Sequence, residues 1–147
     1  MKIVNRRASY EYLILERVEA GIVLTGAEVK SLRMGHGSLE EAFARVKEDG
    51  AWLYNFFIPA YPFADAREYE PSRPRKLLLH RRELMRLAQR LVRERLTIVP
   101  LACYTTGRFM KVELGVGRGR KKYEKRELLK KRDIEREVAA EFKQKLR

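Results

Sequence analysis

Between Tyr10 and Gly117 the sequence holds six short runs of β-forming residues, each closed by polar or glycine-bearing turns. So few strands would leave edges open to pairing with other chains. Curling the sheet on itself into a small barrel removes those edges. The first two runs are Tyr10-Glu11-Tyr12-Leu13-Ile14-Leu15 and Gly21-Ile22-Val23-Leu24. Residues 42–47 and 51–58 follow, with Glu48-Asp49-Gly50 supplying hairpin turn chemistry between them. Residues 96–106 and 109–117 close the set, joined at Thr106-Gly107-Arg108.

Helices fit between the strands. Thr25 is placed to cap a short one over Ala27–Met34, which Gly35 and Gly37 end. A longer one runs from about His80 to Arg95, where Leu84, Leu87, Ala88, Leu91 and Val92 keep helical spacing. Residues 59–75 hold Pro59, Pro62, Pro71 and Pro74 and read as a loop. The expected fold is mainly β. It is a small antiparallel OB-type (oligonucleotide-binding) barrel of about six strands, with two to three helices and a basic C-terminal tail.

Charge defines the tail. The chain has 33 Lys and Arg against 20 Asp and Glu, a net charge of +13. Residues 1–117 carry 20 basic and 14 acidic side chains, and residues 118–147 carry 13 and 6. More than half of the excess therefore lies in a segment with few large apolar residues. Residues 1–117 are expected to be the folded body. Residues 118–147 are expected to be disordered when free, because a lone helix of that length is marginal in water, and to fold where their cations are neutralised.

An excess this large repels itself in a compact state unless a polyanion is present. Nucleic acid is the foremost such partner, ahead of an anionic membrane surface. No apolar run is long enough to span a bilayer, and Met1 to Arg7 turns polar too soon for a signal peptide. A single cysteine, Cys103, cannot form an intrachain disulfide, so a cytoplasmic protein is expected.

Chemistry is hard to find. His36 and His80 lie far apart, and Cys103 sits in an apolar run with no sequence-local partner. Gly115-Val116-Gly117-Arg118-Gly119 lacks the spacing of a phosphate loop; its glycines suit close approach to a backbone. No catalytic residue, metal site or cofactor is expected. Glu28 has two readings of equal weight: an acid favoured at a helix N-terminus, or an acceptor for an RNA base or 2′-hydroxyl beside Lys30 and Arg33.

The strongest signal is a set of basic patches: Asn5-Arg6-Arg7, Arg73-Pro74-Arg75-Lys76, His80-Arg81-Arg82 and Arg118-Gly119-Arg120-Lys121-Lys122-Tyr123. Tyr10, Tyr12, Tyr69 and Tyr123 lie close by. Cations contact phosphates, and exposed aromatics stack on unpaired bases.

The same segments resemble the SsrA-binding protein (small protein B) family almost end to end. Asn5-Arg6-Arg7-Ala8 with Tyr10-Glu11-Tyr12 looks like the family's opening. Gly21-Ile22-Val23-Leu24-Thr25-Gly26-Ala27-Glu28-Val29-Lys30-Ser31-Leu32-Arg33 is close to its signature. Arg75-Lys76-Leu77-Leu78-Leu79-His80 and the stretch from Val112 to Arg126 match two further blocks. Glu124-Lys125-Arg126 stands where the family usually has Asp-Lys-Arg.

The resemblance implies binding to transfer-messenger RNA (tmRNA) in trans-translation, the rescue of stalled ribosomes. The body would grip the RNA's tRNA-like domain, and the tail would enter the decoding centre and empty mRNA channel and fold there. Alanyl-tRNA synthetase and elongation factor Tu would be indirect partners, and the chain would act as a monomer. RNA-binding candidates are Asn5, Arg6, Tyr10, Glu28, Lys30, Arg33, Lys76, His80, Lys111, Gly117, Arg120, Lys121 and Lys122. Ribosome-binding candidates in the tail are Tyr123, Glu124, Lys125, Arg126, Lys130, Lys131 and Arg132. A ribosomal or generic single-strand-binding barrel is the competing class. A nuclease would need a His or carboxylate constellation that the sequence does not display.

Overall fold

Alternation of outward polar and inward apolar residues runs through the supposed break after Leu15, so the first two expected strands are one. Strand β2 spans Tyr12–Ile22, with Arg17 and Glu19 outward and Val18, Ala20 and Ile22 buried. The computed structural model describes residues 1–146; Arg147, the last residue of the expected tail, lies outside them.

The remaining elements are β1 (Lys2–Val4), α1 (Arg6–Glu11), α2 (Gly26–Arg33), β3 (Phe43–Lys47), β4 (Gly50–Tyr54), β5 (Arg75–Leu78), α3 (Arg81–Arg93), β6 (Thr97–Thr106), β7 (Phe109–Gly119) and α4 (Lys122–Lys145). Seven strands, one more than expected, form a single antiparallel sheet in the order β1-β6-β7-β2-β5-β4-β3. Two strands escape a sequence reading. β1 is only three residues long. β5 hides because one of its two inward positions is an arginine, Arg75.

Local signals set several boundaries. The β3–β4 hairpin turns at Glu48-Asp49, and Gly50 supplies the positive φ of 126° that the turn needs. Asn55, at φ 58°, ends β4 four residues earlier than expected, before Phe56 enters the core. Thr25 caps α2 in a full capping box with Glu28. On α3, Leu87 is buried and Leu84 and Leu91 pack beside it; Val92 lies off that stripe and is 82% exposed.

The sheet curls until β3 lies against β6, leaving a seam that no ladder closes. Val18, Ala20, Leu53, Leu77, Val112 and Leu114 line the interior. Leu32 from α2 and Leu87 from α3 enter the same core fully buried, each worth about 2 kcal/mol as area removed from water.

Asn5 staples the seam. Its amide donates to Leu39 O at 3.1 Å, ahead of β3, and to Pro100 O at 2.9 Å on β6. Its Oδ1 accepts from Ala8 N at 3.2 Å and caps α1. On β7, Gly117 runs so close to β2 that a Cβ would drive into the Leu13 carbonyl. The backbone that this glycine approaches is the chain's own.

The sheet also extends past the expected body. Leu13 pairs with Arg118 and Tyr12 with Gly119, and α4 follows as a 24-residue helix with no buried residue. None of the helices among the described residues is long and apolar enough to cross a membrane.

Asn5→Ala is expected to lower stability by about 2 kcal/mol or more in urea unfolding, through two buried carbonyls left unpaired and a lost cap. Wild-type stability would show that the seam does not depend on Asn5.

Candidate RNA interface

Glu28 is the first candidate that the structure relocates. As the third residue of α2 it points inward and is 1% exposed. Oε1 accepts from Thr25 N at 2.9 Å and from Arg73 Nη2. Oε2 accepts from Arg75 Nε at 2.7 Å and lies 3.3 Å from the Tyr69 hydroxyl. That hydroxyl donates to Ile58 O at 2.6 Å.

Arg75 is fully buried. Its remaining N–H groups donate to Phe56 O, Arg73 O, Tyr69 Oη and Pro71 O. This corrects the reading of Arg73-Pro74-Arg75-Lys76 as one surface patch: Arg75 is interior, Arg73 is half-buried on Glu28, and Lys76 alone of the three cations stands free of the knot.

Burial alone would raise the Glu28 carboxyl. The Arg73 guanidinium, the Thr25 N–H and Arg75 outweigh it and hold the group below the ordinary 4.5. Glu28 therefore presents no free oxygen to a ligand. It positions α2 against β5 and ties down the proline-rich loop. Asn5 and Gly117 are likewise committed inside the fold.

Other candidates meet at the surface. His80 and Lys111 line one open groove of about 640 Å³ between the ends of β2 and β5 and the starts of α3 and β7. Arg108, Glu19 and Glu83 line it too, with Leu78 and Phe109 exposed along it at 53% and 69%. Lys111 Nζ stands 6.0 Å over the Phe109 ring, and the Tyr104 hydroxyl donates to Glu19. The groove thus offers cations for phosphates, apolar faces for bases, and an oriented carboxylate at Glu19 for amino or 2′-hydroxyl groups. Glu19, Leu78, Arg108 and Phe109 were not legible as site residues, because only the fold gathers three distant segments.

A second group gathers where the chain's two ends meet. Arg120 N donates to Glu11 O at 2.7 Å, and its Nε to Ser9 O at 3.3 Å. Lys125 Nζ lies 5.5 Å over the Tyr10 ring. Arg118 pairs with Glu124 at 2.9 Å; that guanidinium, with the Lys121 N–H, holds the Glu124 carboxyl below its usual range. Arg6, Lys121, Lys122, Tyr123 and Arg126 surround this junction exposed.

Lys30 and Arg33 stand exposed on α2, with Lys30 Nζ 5.6 Å over Tyr61. Lys76 lies 5.9 Å over Trp52, outside the groove. Lys130, Lys131 and Arg132 lie on α4, away from both gatherings. The Cys103 thiol is pushed up to about 12 by burial and is no nucleophile. Among the described residues no three His, Cys, Asp or Glu side chains converge as metal ligands.

Comparisons with known proteins show what the chain is similar to. The model of the family described as SmpB protein matches residues 2–144. The SsrA-binding protein of Carboxydothermus hydrogenoformans is 48% identical over 134 residues, 91% of this chain and 90% of that one. The SsrA-binding protein of a Sulfurihydrogenibium species is 46% identical over 143 residues, 97% and 94% of the two chains. A solved chain from work described as "tmRNA-SmpB: a journey to the center of the bacterial ribosome" superposes with a TM-score of 0.68 at 41% identity, covering 87% of this chain and 94% of its own.

Glu28→Gln, which removes the charge between two arginines, is expected to cost about 3–5 kcal/mol in urea unfolding at neutral pH. The depressed carboxyl makes the sign definite. Its stabilisation is complete above the ordinary 4.5 and fades as pH falls through the lower folded value. Stability of the variant should therefore fall less steeply in acid than that of the wild type. Equal acid dependence would contradict this role.

Proposed function

The chain belongs to the SmpB family, and from that premise we propose that it binds tmRNA and acts with it on the ribosome in trans-translation. It is an RNA-binding factor and not an enzyme. The observation that carries the reading is a family match over residues 2–144, in a chain whose His80 and Lys111 converge on one groove.

The groove is the surface for the tRNA-like domain of tmRNA. Arg108, Lys111 and His80 take phosphates, Phe109 and Leu78 pack on unpaired loop nucleotides, and Glu19 accepts from a base or sugar. Lys30 and Arg33 on α2 and Lys76 on β5 add long-range attraction. Asn5, Glu28 and Gly117 serve by holding the strands that present these groups.

The junction residues Arg6, Tyr10, Arg120, Lys121 and Lys122 fix the direction in which α4 leaves the body. Tyr123, Glu124, Lys125, Arg126, Lys130, Lys131 and Arg132 meet the small ribosomal subunit at its decoding centre and empty mRNA channel. An α4 with no buried residue suits a segment that is disordered free and helical once the ribosome neutralises its cations. Alanyl-tRNA synthetase and elongation factor Tu act on the same RNA rather than on this chain, which works as a monomer in the bacterial cytoplasm.

Filter binding at physiological salt compares a tmRNA tRNA-like domain with an unrelated structured RNA of equal length. The reading expects tighter binding to the first; equal affinities would favour a generic RNA-binding barrel. Removal of residues 128–147 spares the Arg118–Glu124 and Tyr10–Lys125 contacts. The truncated chain is expected to keep its affinity for the RNA domain and lose peptide tagging on stalled ribosomes. Retained tagging would refute the division between body and tail.

A further inference from the structure

The outer surface of β3, β4 and β5 is unusual for a solvated sheet face. Its outward side chains are Phe43, Arg45 and Lys47 on β3, Trp52 and Tyr54 on β4, and Lys76 and Leu78 on β5. They include three cations, three aromatics and no carboxylate. An antiparallel ribbon facing water ordinarily mixes charges of both signs, because opposite-charge pairs across strands are favourable.

Register brings these groups together. Phe43 pairs with Tyr54, Arg45 with Trp52, and Trp52 with Lys76. The Phe43 and Tyr54 rings stack at 5.2 Å, tilted by 16°. A cation stands over each ring: Arg45 over Phe43 at 5.3 Å, Lys47 over Tyr54 at 5.1 Å and Lys76 over Trp52 at 5.9 Å. The nearest acid on the turn, Asp49, accepts from Trp52 Nε1 at 3.1 Å and fixes the indole. Aromatic rings set among exposed cations match the two needs of a single strand: π-faces for bases and positive charge for phosphates.

We propose that this ribbon is a second RNA-binding surface, beyond the groove, that stacks unpaired nucleotides on Phe43, Tyr54 and Trp52 while Arg45, Lys47 and Lys76 hold their phosphates. A protein partner would have to bring carboxylates of its own to match three like charges. An RNA strand neutralises all three and covers the rings. The ribbon adjoins the groove at Leu78 and leaves Lys111 and Phe109 free, so the barrel can hold a folded RNA in the groove and an unpaired stretch of RNA beside it.

Trp52 is the chain's only tryptophan, so its fluorescence reports on this surface alone. The full-length chain is titrated with an oligouridylate of about ten nucleotides, within the span one such barrel covers, and separately with inorganic polyphosphate. The expected result is saturable quenching by the oligonucleotide and little by polyphosphate. Phe43→Ala/Tyr54→Ala should weaken that binding by about ten-fold or more, the scale of one lost stacking contact. Arg45→Gln/Lys47→Gln, at exposed positions that cannot disturb the core, should weaken it as well and flatten its salt dependence. Lys111→Ala in the groove should leave it unchanged.

Equal quenching by polyphosphate would reduce the surface to a charge patch and overturn the proposal. So would absence of quenching, indifference to both double variants, or loss on Lys111→Ala. The probe has no tRNA-like fold, so failure here is separate from failure of the tmRNA reading.

Discussion

A carboxylate buried at 1% exposure between two arginines is the constraint around which the rest of this protein is arranged. Taking such charges out of water is costly, and only a complete set of partners offsets it. The chain supplies them from α2, the strand β5 and the loop between β4 and β5. Once Glu28 and Arg75 are paired, Arg75 has bonds left for Phe56 O and Pro71 O, and Tyr69 for Ile58 O. A loop with four prolines, bridged by its backbone to Ser38 at Phe57, is thereby pinned to the barrel. The knot also fixes β5, and β5 carries both Lys76 on the outer ribbon and Leu78 at the groove.

The positive charge is thus divided by position. Arg75 is structural. Arg108, Lys111 and His80 face the groove, and Arg45, Lys47 and Lys76 cover the ribbon. The densest part lies on α4, which leaves the body from a junction locked by Arg118, Glu124, Tyr10 and Lys125. Glu124 stands where the family resemblance implies a shorter acid. Its extra methylene still lets it cap α4 through the Lys121 N–H while it pairs with Arg118. On the proposed reading, the division gives each RNA contact its own set of cations.

The sequence made the local features legible. Thr25 as a helix cap, the turn at Asp49-Gly50 and the Leu84–Leu87–Leu91 stripe each depend on residues a few positions apart. What stayed hidden depends on distance along the chain. Glu28 reads as a helix-terminal acid or a ligand contact because its partners lie 45 and 47 residues away. β5 reads as the end of a loop because an arginine at an inward position breaks the apolar alternation. His80 was legible in a basic patch, and Lys111 through the family resemblance. That they share a groove with Glu19 and Phe109 follows from β2, β5, α3 and β7 meeting there, which no window of sequence contains.

The central claim is that the barrel's groove, and not the tail, holds the tRNA-like domain. Ultraviolet cross-linking of the full-length chain to that RNA domain, with the linked peptides read by mass spectrometry, tests it directly. The account requires cross-links in the peptides carrying Leu78 to His80 and Arg108 to Lys111, and none beyond Leu128 in the absence of ribosomes. Cross-links concentrated on α4, with the groove peptides unmodified, would contradict it.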